Sequence, residues 1–240
     1  MTPTDFPIWS TLALGFVLGL RHALDADHLA AVSTFVSEER NLLRSTLIGA
    51  SWGMGHTASL LVFGLAVASF RLTLTPRLSQ FLEFLVGCML IFLGASVLFR
   101  MVRGGALHVH RHEHDGVQHT HLHVHLGQAE HEHQHRTLRL GGRPFVVGVV
   151  HGLAGTAALM MLVVGALPSV FLAAGYILIF GVGSIGGMMA MSLMMSVPLV
   201  FAVQRLRLVE RLIRVAAGLF SLGFGGYLAW DVGLIQSFLR

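Results

Sequence analysis

Four long stretches of the chain, Ser45 to Phe70, Phe84 to Phe99, Pro144 to Gln204 and Val215 to Trp230, contain no Asp, Glu, Lys or Arg. Apolar runs of about 18 residues or more read as membrane-spanning helices, since a helix satisfies its own backbone where no water can. A bilayer core about 30 Å thick takes about 20 helical residues. On that ruler the pattern predicts six spans, near residues 8–36, 45–69, 79–100, 144–166, 171–203 and 210–235. The first and fifth exceed what a straight crossing needs, so each is expected to be tilted or broken. A polar stretch separates residues 1–102, with three spans, from residues 144–240, with three more; residues 103–143 form the loop between them. The expected fold class is therefore all-α, a polytopic six-helix membrane protein.

The two halves resemble each other when shifted by 129 to 132 residues. Phe16-Val17-x-Gly19-x-x-His22-x-Leu24 lies over Phe145-Val146-x-Gly148-x-x-His151-x-Leu153, Gly49 and Gly55 over Gly181 and Gly187, and Gly87 and Gly94 over Gly218 and Gly225. An odd number of spans per half makes the second half enter the membrane in the opposite sense. The pattern thus predicts a 3+3 inverted repeat with a substrate site near the midplane. Arginine decides the sides. The loops after spans one, three and five hold Arg40, Arg44, Arg103, Arg111, Arg136, Arg139, Arg143, Arg205 and Arg207, against Arg71, Arg77 and Arg240 opposite. That places the central loop in the cytoplasm and both termini outside.

Composition supports the membrane reading. The 240 residues are 54% hydrophobic and only 12% charged, where soluble chains carry about 25% charged residues. A net charge of +4 would raise nucleic-acid binding, yet the arginines flank apolar segments instead of forming a stripe with aromatics, so no nucleic-acid partner is expected. The single cysteine, Cys88, lies in an apolar run and excludes a disulfide framework or a Cys-based metal site; packing is its expected role. Met1 to Pro7 lacks a basic n-region, so the first helix is expected to stay in the protein. What composition adds is histidine: 15 of them.

Arg21-His22-Ala23-Leu24-Asp25-Ala26-Asp27-His28 puts five ionisable residues in eight within the first span. Each costs about 3 kcal/mol at the centre of a membrane helix, so the group needs partners, water or a metal ion. Imidazole with carboxylate suits Ni²⁺, Co²⁺ or Zn²⁺. On a straight helix His22, Asp25 and His28 share a face while Asp27 points elsewhere, so either the helix is distorted or Asp27 serves a neighbour or orients a ligand. Arg21 is spaced to pair with Asp25 when no metal is bound. His56, mid-span beside Thr57 and small residues, is expected to be a ligand or pathway residue. His151 occupies the repeat position of His22 without its acids, and pathway residue or structural remnant both remain open. The other eleven histidines, His108, His110, His112, His114, His119, His121, His123, His125, His131, His133 and His135, form a low-complexity loop expected to be unfolded without metal and to bind divalent ions weakly at many sites.

These residues resemble the nickel/cobalt transporter family of high-affinity nickel permeases. That family's hallmark is His-x-x-x-x-Asp-His, often extended to Arg-His-Ala-x-Asp-Ala-Asp-His, which Arg21 to His28 match in full; Gly55-His56-Thr57 is similar to its second motif, Gly-His-Ser/Thr. The resemblance implies that His22, Asp25, Asp27, His28 and His56 recognise metal; Arg21, Thr57 and His151 are pathway candidates from their positions in this chain alone. It implies movement of Ni²⁺ or Co²⁺ across a bacterial cytoplasmic membrane. Six spans and a His-rich loop look more like the related nickel/cobalt exporters, which tend to carry a less acidic first motif.

The expected function is therefore transport, as uptake, with efflux as the runner-up. The ion is substrate and no prosthetic group is expected; the partners are the lipid bilayer and a cytoplasmic metal acceptor. No phosphate-binding loop signature occurs, so ion gradients, membrane potential or capture by the acceptor would drive the ion. Two rivals come from other classes: an intramembrane zinc enzyme built on His22, His28 and His56, and a membrane metal sensor or store built on the loop.

Overall fold

A computed structural model describes residues 8–71, 75–103, 108–114, 117–123, 136–153, 164, 167, 169–203 and 207–232. These hold seven helices: α1 (Ile8–His22), α2 (Ala26–Val36), α3 (Leu42–Phe70), α4 (Pro76–Arg103), α5 (Arg136–Leu153), α6 (Val170–Val203) and α7 (Arg207–Asp231). Among the described residues four segments are long and apolar enough to cross a membrane: Leu42–Phe70, Pro76–Arg103, Val170–Val200 and Leu208–Asp231. Large apolar side chains stand exposed on their outer faces, Val62, Phe92 and Phe171 among them, as a lipid solvent permits and water does not.

The span expected at 8–36 is not continuous. It is broken into α1 and α2, of 15 and 11 residues, because the polar segment at its centre stops one helix and starts the next. The span expected at 144–166 begins earlier, with α5 starting at Arg136 inside the stretch assigned to the loop and running through Pro144. Ser51 Oγ on α3 donates to the Gly141 carbonyl at 2.6 Å, fixing this early turn to the bundle. Residues 154–163 lie outside the described residues. By contrast α6, expected to be tilted or broken, is a single helix of 34 residues that tolerates Pro198. Cys88 is exposed on α4 rather than packed.

The His-rich segment departs from the expectation of an unfolded loop. Strands β1 (His108–His114) and β2 (Val117–His123) pair antiparallel, with His108 opposite His123, His110 opposite His121 and His112 opposite His119. The strict alternation of His with other residues has the period of a strand, a signal that the low-complexity reading passed over. His125, His131, His133 and His135 lie outside the described residues.

Helices in lipid gain little from apolar contact alone, so close packing through small residues does the holding. Here each long helix meets a partner from the other half: α1 lies on α6, α5 on α3, and α4 on α7, while α3 also lies along α6. Gly19 faces the backbone of Phe180 and Ser184, just as Gly148 faces that of Trp52 and His56. Gly183 faces Phe16 as Gly55 faces Phe145, and Gly87 with Gly225 mirrors Gly218 with Gly94. The contacts repeat at shifts of 129 (Gly19 to Gly148), 128 (Trp52 to Phe180) and 131 (Gly87 to Gly218). The shift of 132 read for the middle helices, Gly49 over Gly181 and Gly55 over Gly187, is thereby corrected: both helices are glycine-rich, and sequence alone offers more than one register.

The short α2 sits inside this frame, touching α3, α4, α6 and α7. His28, Ala30, Ala31, Val32, Thr34 and Val36 are all buried, and α2 shares a core with Trp52, Leu90 and Met188. Two exposed ion pairs, Arg100 with Glu38 at 2.8 Å and Arg40 with Glu210 at 2.9 Å, tie the α2–α3 link to α4 and α7.

Candidate metal centre

The break between α1 and α2 builds the site. Leu24 N–H donates to the Arg21 carbonyl and Asp25 N–H to the His22 carbonyl, at 2.9 and 3.0 Å, tightening the last turn of α1. Asp25 then takes an extended conformation, φ −62° and ψ 148°, and its carbonyl accepts from Leu29 N–H to open α2. The Asp25 side chain makes no capping bond to α2; it is committed to His22 instead. The end of α1 thus delivers His22 and the start of α2 delivers Asp27 and His28 to one level. Half-helix ends of this kind are where broken membrane helices meet ions.

Two other helices converge there. His56 comes from the middle of α3 and His151 from the last turn of α5, each 1% exposed, beside His28 at 0% and His22 at 7%. The His22 and His56 Nε2 atoms are 3.1 Å apart. His22 Nδ1 pairs with Asp25 Oδ2 at 2.8 Å, His28 Nδ1 with Asp27 Oδ1 at 3.0 Å, and His151 Nε2 with Asp27 Oδ2 at 2.9 Å. A carboxylate can only accept, so each of these imidazole nitrogens donates, and in the neutral ring the other nitrogen keeps its lone pair. His28 Nε2, His56 Nδ1 and His151 Nδ1 are buried without a hydrogen-bond partner.

Among the described residues two triads have the make-up of a metal site: His22, His28 and His56, and Asp27, His28 and His151. In each, the ligand atoms lie within 4.8 Å of one another. Metal–imidazole bonds of about 2.1 Å put neighbouring ligands of one ion about 3 to 3.4 Å apart, which is the His22–His56 separation.

Of the residues singled out from sequence, His22, Asp27, His28 and His56 come together as ligand candidates, and His151 joins them. Asp25 enters neither triad; it holds the His22 ring from outside. The straight-helix geometry is corrected in the same stroke, since the break turns Asp27 inward. Arg21 is exposed and does not pair with Asp25, whose partner is His22. Thr57 faces α6, its hydroxyl 3.5 Å from the Gly181 carbonyl. Sequence reasoning missed two walls of the site. Trp52, fully buried one turn before His56, lies 5.1 Å from His28 and 5.6 Å from His151 between ring centroids. Phe180 lies 5.5 Å from His22. A Trp four residues before a mid-span His was the available signal for the first; none marked the second.

Residues 8–167 match the family of high-affinity nickel-transport proteins, NicO. The chain belongs to the NicO family. Membership of NicO makes it a nickel transporter by family, and neither the enzyme nor the sensor reading finds support there. The chain is similar to the urease accessory protein UreH of Bacillus sp. (strain TB-90), 33% identical over 240 residues that cover 96% of this chain and 95% of the relative. It is also similar to the high-affinity nickel transport protein of Cupriavidus necator, 30% identical over 123 residues, or 44% of this chain and 35% of that one. A chloroplast protein of Arabidopsis thaliana, FOR GROWTH AND FERTILITY 1, is 28% identical over 180 residues, 74% of this chain and 47% of its own. No solved structure matches.

Proposed function

We propose that the protein carries Ni²⁺ or Co²⁺ inward across a bacterial cytoplasmic membrane, holding the ion near the midplane on His22, His28 and His56. Asp25 orients His22, and Asp27 balances charge beside the triad. The observation that carries this reading is the pair of buried imidazoles, His22 and His56, with Nε2 atoms 3.1 Å apart and His28 as third donor. Apolar surroundings raise the worth of the neighbouring carboxylates to a dication. The crossed helix contacts, repeated at shifts near 130, favour a 3+3 inverted repeat whose halves rock about this site.

The membrane field supports the inward direction. Moving a dication inward at 100 mV, inside negative, gains about 4.6 kcal/mol, enough for about a 2,000-fold accumulation with no other energy source. In this reading the His-rich segment and the arginine-flanked ends face the cytoplasm and both termini lie outside.

Metal flux in proteoliposomes, with Ni²⁺, Co²⁺ and Zn²⁺ competing, tests the assignment. His56→Ala is expected to lower Ni²⁺ flux by about 100-fold or more, the scale on which metal sites respond to lost support. Wild-type flux from a well-folded His56→Ala protein would refute the site. Expression in metal-stressed cells tests direction, because an importer sensitises them and an exporter protects them.

A further inference from the structure

The five donors at the break do not form one coordination sphere. An ion with bonds of about 2.1 Å spans about 4.2 Å between opposite ligands, while the donors fall into two triads, each within 4.8 Å, with His28 common to both. The His56 and His151 ring centroids are 5.9 Å apart, and each is closer to His28, at 5.2 and 4.2 Å. His28 stands between them with two edges: Nδ1 meets Asp27, which holds His151, and Nε2 has no partner. The triads also differ in origin. His22, His28 and His56 all come from residues 8–71, whereas the second triad is incomplete without His151 from α5.

We propose that the cluster is two ion seats in series, sharing His28, and that His151 is the metal ligand that draws the ion from the first seat to the second. This rests on the transport reading above. A neutral His28 ring offers one lone pair at a time, its Nδ1 being held by Asp27 and its Nε2 open, so one ion occupies the seats in turn. Asp27 supplies the charge of the second seat, and His151, the repeat counterpart of His22, supplies its ligand. Trp52 and Gly148 set the distance at which α5 presents that ring: a Cβ on Gly148 would stand 2.6 Å from Trp52 Cδ1.

The test compares full-length protein variants by Ni²⁺ binding and by Ni²⁺ flux in proteoliposomes. His151→Ala is expected to bind one Ni²⁺ with affinity within about threefold of wild type but to lose flux by about tenfold or more, while His56→Ala loses both. His151→Gln keeps a donor for Asp27 and is expected to leave flux low; recovery of flux in it would mean that His151 only props Asp27, and would overturn the proposal. In a Cys88→Ser background, His151→Cys loaded with Co²⁺ is expected to show a thiolate-to-cobalt charge-transfer band. The proposal is overturned if that band is absent, if His151→Ala binds as weakly as His56→Ala, or if it transports like wild type. A wild-type protein that neither binds nor moves Ni²⁺ would instead sink the transport reading beneath it.

Discussion

Replacing Gly148 by Ala tests the architecture of the site without touching a donor. Gly148 lies one turn before His151 on α5 and faces Trp52 and His56 on α3. The added methyl would stand 2.6 Å from Trp52 Cδ1 and 3.0 Å from His56 N, and closer still to the Trp52 carbonyl oxygen, where ordinary carbon contacts begin near 3.5 Å. Relief requires α5 to withdraw by roughly 1 Å, which carries His151 Nε2 from 2.9 Å to beyond hydrogen-bond reach of Asp27 Oδ2. Overpacking of this kind costs about 1–3 kcal/mol, and a 1 Å misplacement of a reacting group can cost about 100-fold in rate. Gly148→Ala is therefore expected to melt at lower temperature and to lose Ni²⁺ flux by roughly two orders of magnitude. Gly142→Ala on the same helix, with nothing within 4 Å of the new methyl, serves as control. Wild-type melting and flux in Gly148→Ala would refute the close approach of α5 to α3 as the device that positions His151.

Asp25→Asn removes the charge that holds His22 Nδ1 at 2.8 Å and is expected to weaken Ni²⁺ binding by about 10- to 100-fold with normal expression; titration calorimetry checks it. Gly19→Ala, which presses on Phe180 and Ser184, should destabilise the α1–α6 contact by about 1–3 kcal/mol, read by thermal melting. Glu210→Gln loosens Arg40 and Arg214; the Arg40 pair, more than half exposed on its arginine side, should contribute under about 1 kcal/mol, so the loss read by thermal melting should come mainly from the part-buried Arg214 pair. Deleting 108–135 should leave proteoliposome flux in place with altered affinity or regulation; loss of all flux would return the function to the His-rich segment.

The chemistry of the centre was legible because polar residues in an apolar run have few innocent explanations: Arg21 to His28 and His56 announce themselves. Their geometry was not. Placing His22, Asp25 and His28 on one face assumes an unbroken helix, and the break at Asp25 reassigns the two acids, Asp27 to the interior and Asp25 to the back of His22. His151 carried no acidic neighbours in sequence because its carboxylate, Asp27, arrives from 124 residues away. Hydropathy located α3, α4, α6 and α7 to within a few residues, yet it could not see that α5 starts at Arg136, where Ser51 holds Gly141.

The crossed pairing of helices bears on how the chain is made. α1 leaves its glycine face for α6, α3 for α5 and α6, and α4 for α7, so the segment that emerges first from the ribosome has only the short α2 of its own to close on. Assembly must wait for residues up to 231, and until then the first three segments are expected to sit in the bilayer as loosely held neighbours. Split between 103 and 108 and produced as two polypeptides, the chain should behave as an obligate heterodimer, each piece short-lived alone and rescued by the other.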